Sequence, residues 1–266
     1  MSDAAPRIAP RVGARPRAVP HRLLGLLGLL LVVAIWWLAV DLATEPDTLA
    51  RQFAPPAAFD ALLGLLRDGS LLNHALVSLR RVGLGLLIAL VIGVPGGLLL
   101  GSLPRLAATL TPTLQLLRMV SPLSWMPIAV MALGIGDRSI VFLLAFAAVW
   151  PVMMSTSAGV AQLDQRWLQL GRSLAATRSE MLLRIVLPGV VSPVLTGVRL
   201  AIGILWIVLV PAEMLGVSSG LGYFILDTRD RLAYSELMAG VLAIGALGYA
   251  LDLLARGAYA LWTGRR

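Results

Sequence analysis

No cysteine and no lysine occur anywhere in the 266 residues, and charged side chains make up only 14% of them. The missing thiol removes disulfides, thiolate nucleophiles and sulfur-ligated zinc, and it leaves the redox compartment open. The missing lysine removes the phosphate loop. In G-x-x-x-x-G-K-[ST] the lysine reaches the terminal phosphates of a nucleotide, so ATP hydrolysis of that kind has to come from another subunit. The two histidines, His21 and His74, stand far apart, and no H-E-x-x-H or serine-elbow pattern occurs. No metal, no cofactor and no catalytic residue are expected.

What is present is apolar. The 58% of hydrophobic residues exceeds the roughly 45–50% of soluble domains, and several runs reach the ~20 residues that cross a bilayer core. All 22 basic residues are arginine, and the net charge is +8. They are scattered between apolar runs and form no basic stripe interleaved with aromatics, so no nucleic-acid partner is expected.

Residues 1–22 form a Pro-rich tail with Arg7, Arg11, Arg15, Arg17 and Arg22. The apolar run 23–42 reads as a first span rather than a cleaved leader: it is longer than the ~7–15 residues of a leader's apolar region and has no A-x-A before Asp41. Residues 43–75 hold Pro55-Pro56 and an amphipathic stretch, Phe59, Leu62, Leu63 and Leu66, expected to lie as an interfacial helix. Within 76–260 the further spans are 82–103, 106–133 (broken by Pro112, Pro122 and Pro127), 139–160, 189–210 and 236–256, followed by a short end at 261–266. The fold class is therefore an all-α integral membrane protein with six transmembrane helices. Under that topology thirteen arginines fall on one side and seven on the other, which places both termini in the cytoplasm and 43–75 in the periplasm. Arg80 and Arg81 are the awkward pair, sitting just before the second span on its outer side. Gly93, Gly97 and Gly101 share one helix face and allow a close backbone approach, either within one subunit or to a second copy.

The longest polar stretch after the tail is 162–188, "QLDQRWLQLGRSLAATRSEMLLRIVLP". Leu163, Trp167, Leu170 and Leu174 recur at spacings of four, three and four, an apolar stripe on a helix. Thr177 with Glu180 three residues on is a capping-box pattern that starts a second helix. An amphipathic hairpin lying on the membrane surface is the alternative reading of these features.

This segment resembles the EAA loop of importer-type ABC transporter permeases, in which Glu-Ala-Ala is followed by a glycine six positions after the Glu and then by Ile-x-Leu-Pro. Ile185, Leu187 and Pro188 match that ending. Gln169, Leu170 and Gly171 stand in place of Glu-Ala-Ala, and Ala175 in place of the glycine. Alanine disfavours a φ > 0 turn there, which points to a helix–helix corner closed by the Thr177 cap. The stretches 78–101, 116–137 and 196–225 are similar to the nitrate, sulfonate and taurine branch of the family.

The resemblance implies a bacterial inner-membrane permease subunit working with a second permease copy, two ATP-binding ABC ATPase subunits and a periplasmic substrate-binding protein, carrying a small anion. It implies ATPase coupling through Trp167, Leu170, Arg172, Leu174, Ala175 and Arg178. An intramembrane enzyme or a membrane assembly protein is the competing class. Ionisable groups inside spans cost about 2.5–3.5 kcal/mol at a helix centre and so face protein or a water path. Arg118, Arg199 and Glu213 are candidates for a translocation path, and Ser121, Ser124 and Trp125, beside the prolines of the third span, are candidate lining groups. For each arginine the alternative is pairing with Glu213, pairing with carbonyls freed by prolines, or snorkelling to the interface.

Overall fold

The structure is a computed structural model that describes residues 21–43 and 49–264; Arg7, Arg11, Arg15 and Arg17 of the tail and Arg265 and Arg266 lie outside them. Every regular element among the described residues is helical. The chain divides into two units, Met1–Pro55 and Pro56–Arg266. In the first, α1 (His21–Ala43) exposes Leu29, Leu30, Val32, Ile35 and Leu38 around its circumference; among the described residues its apolar stretch, Leu27–Leu42, is shorter than the helices long enough to cross a membrane. A 3-10 turn, Leu49–Phe53, follows it.

The second unit begins with α2 (Pro55–Arg67), then α3 (Ser70–Ser102), α4 (Pro104–Met119), α5 (Met126–Leu133) and α6 (Asp137–Ala161). After the short α7 (Gln165–Ser173) and α8 (Arg178–Glu180), a π-helical stretch, Met181–Val186, leads into α9 (Leu187–Gly216), and α10 (Leu221–Asp230) and α11 (Tyr234–Thr263) complete the chain. Among the described residues four helices are long and apolar enough to cross a membrane: Ser70–Ser102, Asp137–Ala161, Arg178–Gly216 and Tyr234–Trp262. The expected span 106–133 is instead a broken pair, bent by 85° between α4 and the 3-10 turn Pro122–Trp125 that leads into α5. Proline at 122 excludes the α region for Ser121, which is extended at ψ 130°.

Helix α6 is the centre of the core. Ile140, Leu143, Leu144 and Val152 on it are fully buried against Leu205 and Leu209 of α9 and Ala89 of α3. The glycine face of α3 packs inside the subunit, against α6: a Cβ at Gly97 would stand 2.5 Å from both the Met153 carbonyl and Thr156 Cβ, and one at Gly101 would stand 2.5 Å from Val160 Cβ. A second cluster joins α2, α3, α10 and α11 through Leu65, Leu71, Phe224 and Ala239, and the Trp206 indole donates to the Ile244 carbonyl at 3.1 Å to tie α9 to α11.

Two boundaries differ from expectation. Helix α3 starts twelve residues before position 82 because Arg81 is solvated by protein groups inside the bundle and does not have to stay outside it. Pro211 does not end α9: the helix continues to Gly216, and Val217 is extended.

Candidate functional site

At the end of the bundle where α6 begins and α9 finishes, a buried ion cluster is assembled from five segments. Arg81 of α3 is 2% exposed and Glu213 of α9 is 0% exposed. Arg81 Nη1 donates to Glu213 Oε1 at 2.6 Å and to the Ser219 carbonyl at 2.7 Å, while Nε and Nη2 donate to Asp137 Oδ1 at 3.0 and 2.6 Å. The Ser78 hydroxyl, one helical turn before Arg81, donates to the Glu213 carboxylate at 2.8 Å and accepts from Leu221 N–H at 2.8 Å. Gly222 N–H donates to Glu213 Oε2 at 2.9 Å, and Gly220 N–H donates to His74 Nδ1 at 3.1 Å. The unpaired amides that open α10 are thereby satisfied by α3 and α9 side chains, and their dipole favours the carboxylate. Gly220 makes this possible. Its φ is 113°, and a Cβ there would lie 2.5 Å from the Glu213 carboxylate. Asp137 is half-exposed at its outer edge.

Nearer the middle of the bundle lies a cavity of about 490 Å³ between the broken α4–α5 pair, α6 and α9. Its lining is mostly apolar, with Val120, Pro122, Trp150 and Pro151 beside Ser155, and Arg118 brings it a positive charge. Ser121 and Ser124 are exposed on the break itself. Trp125 is half-buried, 5.4 Å from the Phe146 ring, which in turn meets Trp150 edge-on at 5.4 Å. Among the described residues neither buried indole N–H, of Trp125 or of Trp150, has a hydrogen-bond partner. Arg199 is one residue from the lining Leu200, but its guanidinium is turned to Asp252 of α11 at 3.2 Å. The structure thus brings Arg118 to the cavity, and it separates Glu213 and Arg199 into ion pairs of their own.

At the opposite end of α6 and α9 the 162–188 loop forms a helical corner. Asp164 caps α7 by accepting Arg166 N–H at 2.9 Å. Helix α7 ends with Ala176 N–H bonded to the Gly171 carbonyl and Ala175 N–H bonded to the Arg172 carbonyl, each at 3.0 Å. This is a Schellman arrangement whose left-handed residue is normally glycine. Here it is Ala175, at φ 54°. The positive-φ turn that alanine disfavours is therefore made after all, and the capping box at Thr177 and Glu180 closes the same corner from its other side. A Cβ at Gly171 would lie 2.7 Å from Ile185 Cδ1, so α7 folds back on the π-helical stretch through a small residue. Trp167 is 61% exposed and Leu174 73% exposed, and Leu170, Arg172 and Arg178 are exposed with them. The apolar stripe faces outward from the subunit.

Sequence reasoning missed Ser78, Arg81 and Asp137. A signal was present: Ser78, Arg81, Gly85, Ala89, Gly93 and Gly97 follow one another at spacings of three and four, so Arg81 lies on the small-residue face that must be buried.

A family model described as a binding-protein-dependent transport system inner membrane component matches residues 93–265. The chain is 37% identical over 187 residues to the bicarbonate transport system permease protein CmpB of Synechococcus elongatus, covering 70% of this chain and 67% of that one. It is 33% identical to the taurine transport system permease protein TauC of Escherichia coli, over 85% and 83% of the two chains, and 35% identical to the nitrate import permease protein NrtB of Synechocystis, over 66% and 64%. Among solved structures, an inward-facing MetNI methionine ABC transporter chain superposes with a TM-score of 0.61 at 14% identity, over 72% of this chain and 95% of that one, which shows the shared fold. The chain belongs to the family of binding-protein-dependent transport system inner membrane components, as an ABC importer permease subunit.

Proposed function

We propose that this permease forms one half of the pore of an ATP-driven importer for a small anion of the nitrate, bicarbonate, sulfonate or taurine kind, delivered by a periplasmic binding protein. In this reading the chain crosses the bacterial inner membrane six times, with both termini in the cytoplasm and the broken α4–α5 pair counted as one crossing. A second permease copy completes the pore, and two separate ATPase subunits supply the hydrolysis. The observation that carries the anion reading is Arg118 on an otherwise apolar cavity framed by broken backbone, the setting in which a guanidinium offers an oxyanion a charge-assisted fork. Ser121, Ser124 and Trp125 belong to the same break and extend the proposed path along it.

Coupling is assigned to the helical corner. Trp167, Leu170 and Leu174 fill a groove on the ATPase, Arg172 and Arg178 sit at its rim, and Ala175 sets the angle between the two short helices. An exposed aromatic anchor on a rigid, doubly capped corner is the kind of residue that dominates such contacts.

Uptake into proteoliposomes containing the permease, its ATPase and its binding protein tests the reading. Arg118→Gln removes one charge-assisted contact, worth about 1.5–3 kcal/mol, and should slow uptake roughly tenfold or more while leaving the ATPase bound. An unchanged rate per assembled complex would remove Arg118 from the path.

A further inference from the structure

We propose that Arg199 and Arg256, held together by Asp252, form a binding site for the phosphate of an anionic phospholipid at the α9–α11 seam, on the half of the bundle that carries the coupling corner. Arg199 Nε donates to Asp252 Oδ1 at 3.2 Å, and Arg256 Nε donates to Oδ2 at 2.7 Å with Nη2 at 2.5 Å. One carboxylate thus serves two guanidinium groups, and the cluster carries a net charge of +1. Both Nη groups of Arg199 and Nη1 of Arg256 meet no acceptor among the described residues. The two side chains are 47% and 56% exposed. Two preorganised forks with free N–H groups and a surplus positive charge match a phosphodiester, which takes planar bidentate donors.

Depth places Arg256 at a headgroup layer, with Asp252 and the Arg199 bonded to it about one helical turn deeper. Glu236, near the start of α11, pairs with Arg231 at 3.2 Å at the polar entry to the helix. Arg256 lies twenty residues further on, about 30 Å at 1.5 Å per residue, which equals the ~30 Å thickness of the hydrocarbon core. The surroundings suit lipid. Tyr249, Leu253 and Leu254 are exposed on α11 beside the cluster, on its hydrocarbon side, an apolar wall for acyl chains. Basic pockets between helices at this level take anionic headgroups. A second copy of the chain seated face to face here would bring two clusters of charge +1 together about the twofold axis, because such an interface pairs a patch with itself. Charge complementarity therefore favours the lipid as occupant.

Stepwise delipidation tests the proposal on the full permease–ATPase complex, taken from nanodiscs of mixed phosphatidylglycerol and phosphatidylcholine, with retained lipid read by native mass spectrometry. One surplus charge near a membrane surface is worth about 1 kcal/mol, so the complex should retain phosphatidylglycerol about fivefold over phosphatidylcholine. The double variant Arg199→Gln/Arg256→Gln leaves Asp252 alone and turns the cluster from +1 to −1, so it should bring the ratio to about one or below, and Arg199→Lys/Arg256→Lys, which keeps the charge, should hold most of the preference and control for loss of folding. Inorganic phosphate at millimolar concentration should displace nothing. An equal ratio in wild type and the glutamine variant overturns the proposal. So does displacement by inorganic phosphate, which would make this a free-anion site, and so does dissociation of the two permease copies in the glutamine variant without any change in lipid, which would make it their interface. Each readout is made on assembled complex without transport, so it fails or succeeds independently of the anion cargo.

Discussion

Replacing Arg81 by methionine keeps an unbranched apolar stem and removes the cation that neutralises Glu213. The carboxylate is wholly buried and would keep only Ser78 and Gly222 N–H as donors, with Asp137 left as a second uncompensated charge at the edge. Removing one partner of a buried pair costs about 3–5 kcal/mol, because the remaining charge has nowhere to be solvated. At about 2–4 °C per kcal/mol for a unit of 150–250 residues, the midpoint of thermal inactivation in detergent should fall by roughly 10 °C. Glu213→Gln alone should cost less, since a neutral amide oxygen still accepts from Gly222 and Arg81 stays paired with Asp137. The informative variant is the double one. With the buried carboxylate gone, Arg81→Met no longer strands a charge in the interior, so the double variant should be more stable than Arg81→Met alone, with a coupling of about 2 kcal/mol. The assay is a thermal ramp followed by size exclusion, or a detergent-unfolding titration, on all four proteins. A loss under about 1 kcal/mol for Arg81→Met, or two single losses that simply add, would refute the account of this cluster as a closed, mutually compensating pair.

Three further changes probe other parts of the fold. Ala175→Gly should stabilise the corner by about 1 kcal/mol, since the left-handed conformation costs an L-residue roughly 1–2 kcal/mol, read as slower amide exchange at Ala176 and Leu174. Gly97→Val should prevent α3 from seating on α6 and abolish monodisperse purification, whereas Gly83→Val, whose Cβ would meet nothing within 4 Å, should be silent in the same chromatogram. Trp167→Glu should leave the helices folded and uncouple ATP hydrolysis from uptake; normal uptake would return the stripe to the membrane surface.

Much of this was readable in the residues. The helical corner at 162–188 followed from the periodicity of Trp167, Leu170 and Leu174 and from the Thr177–Glu180 cap, because these are local devices whose partners lie within one or two turns. The glycine face of α3 was equally visible, being a property of one helix. The Arg81 cluster was not, because its stability depends on Glu213, 132 positions away, and on an α10 entry that brings backbone amides to the carboxylate. Considered alone, Arg81 is too costly to bury, so the span was expected to start after it. The expected span 189–210 stopped short for a related reason: Pro211 lies within α9, and such a proline is tolerated when neighbouring groups and local adjustment satisfy what it frees, with α10 packed alongside. At Ala175, local propensity opposed the turn, and the Schellman bonds with the packing of Gly171 on Ile185 outweighed it.

The seam between α3 and α6 constrains how this molecule can move. From Gly85 to Gly101 the two backbones are meshed over about 24 Å, with Gly85, Gly93, Gly97 and Gly101 each seated over a carbonyl or a β-carbon of the partner. Sliding one helix by a single residue would drive side chains into those seats, so axial displacement between them is blocked along the whole length. The pair behaves as one stiff strut. Any swing that opens one end of the bundle and closes the other must pivot around it, and the free joint is the kinked α4–α5 elbow.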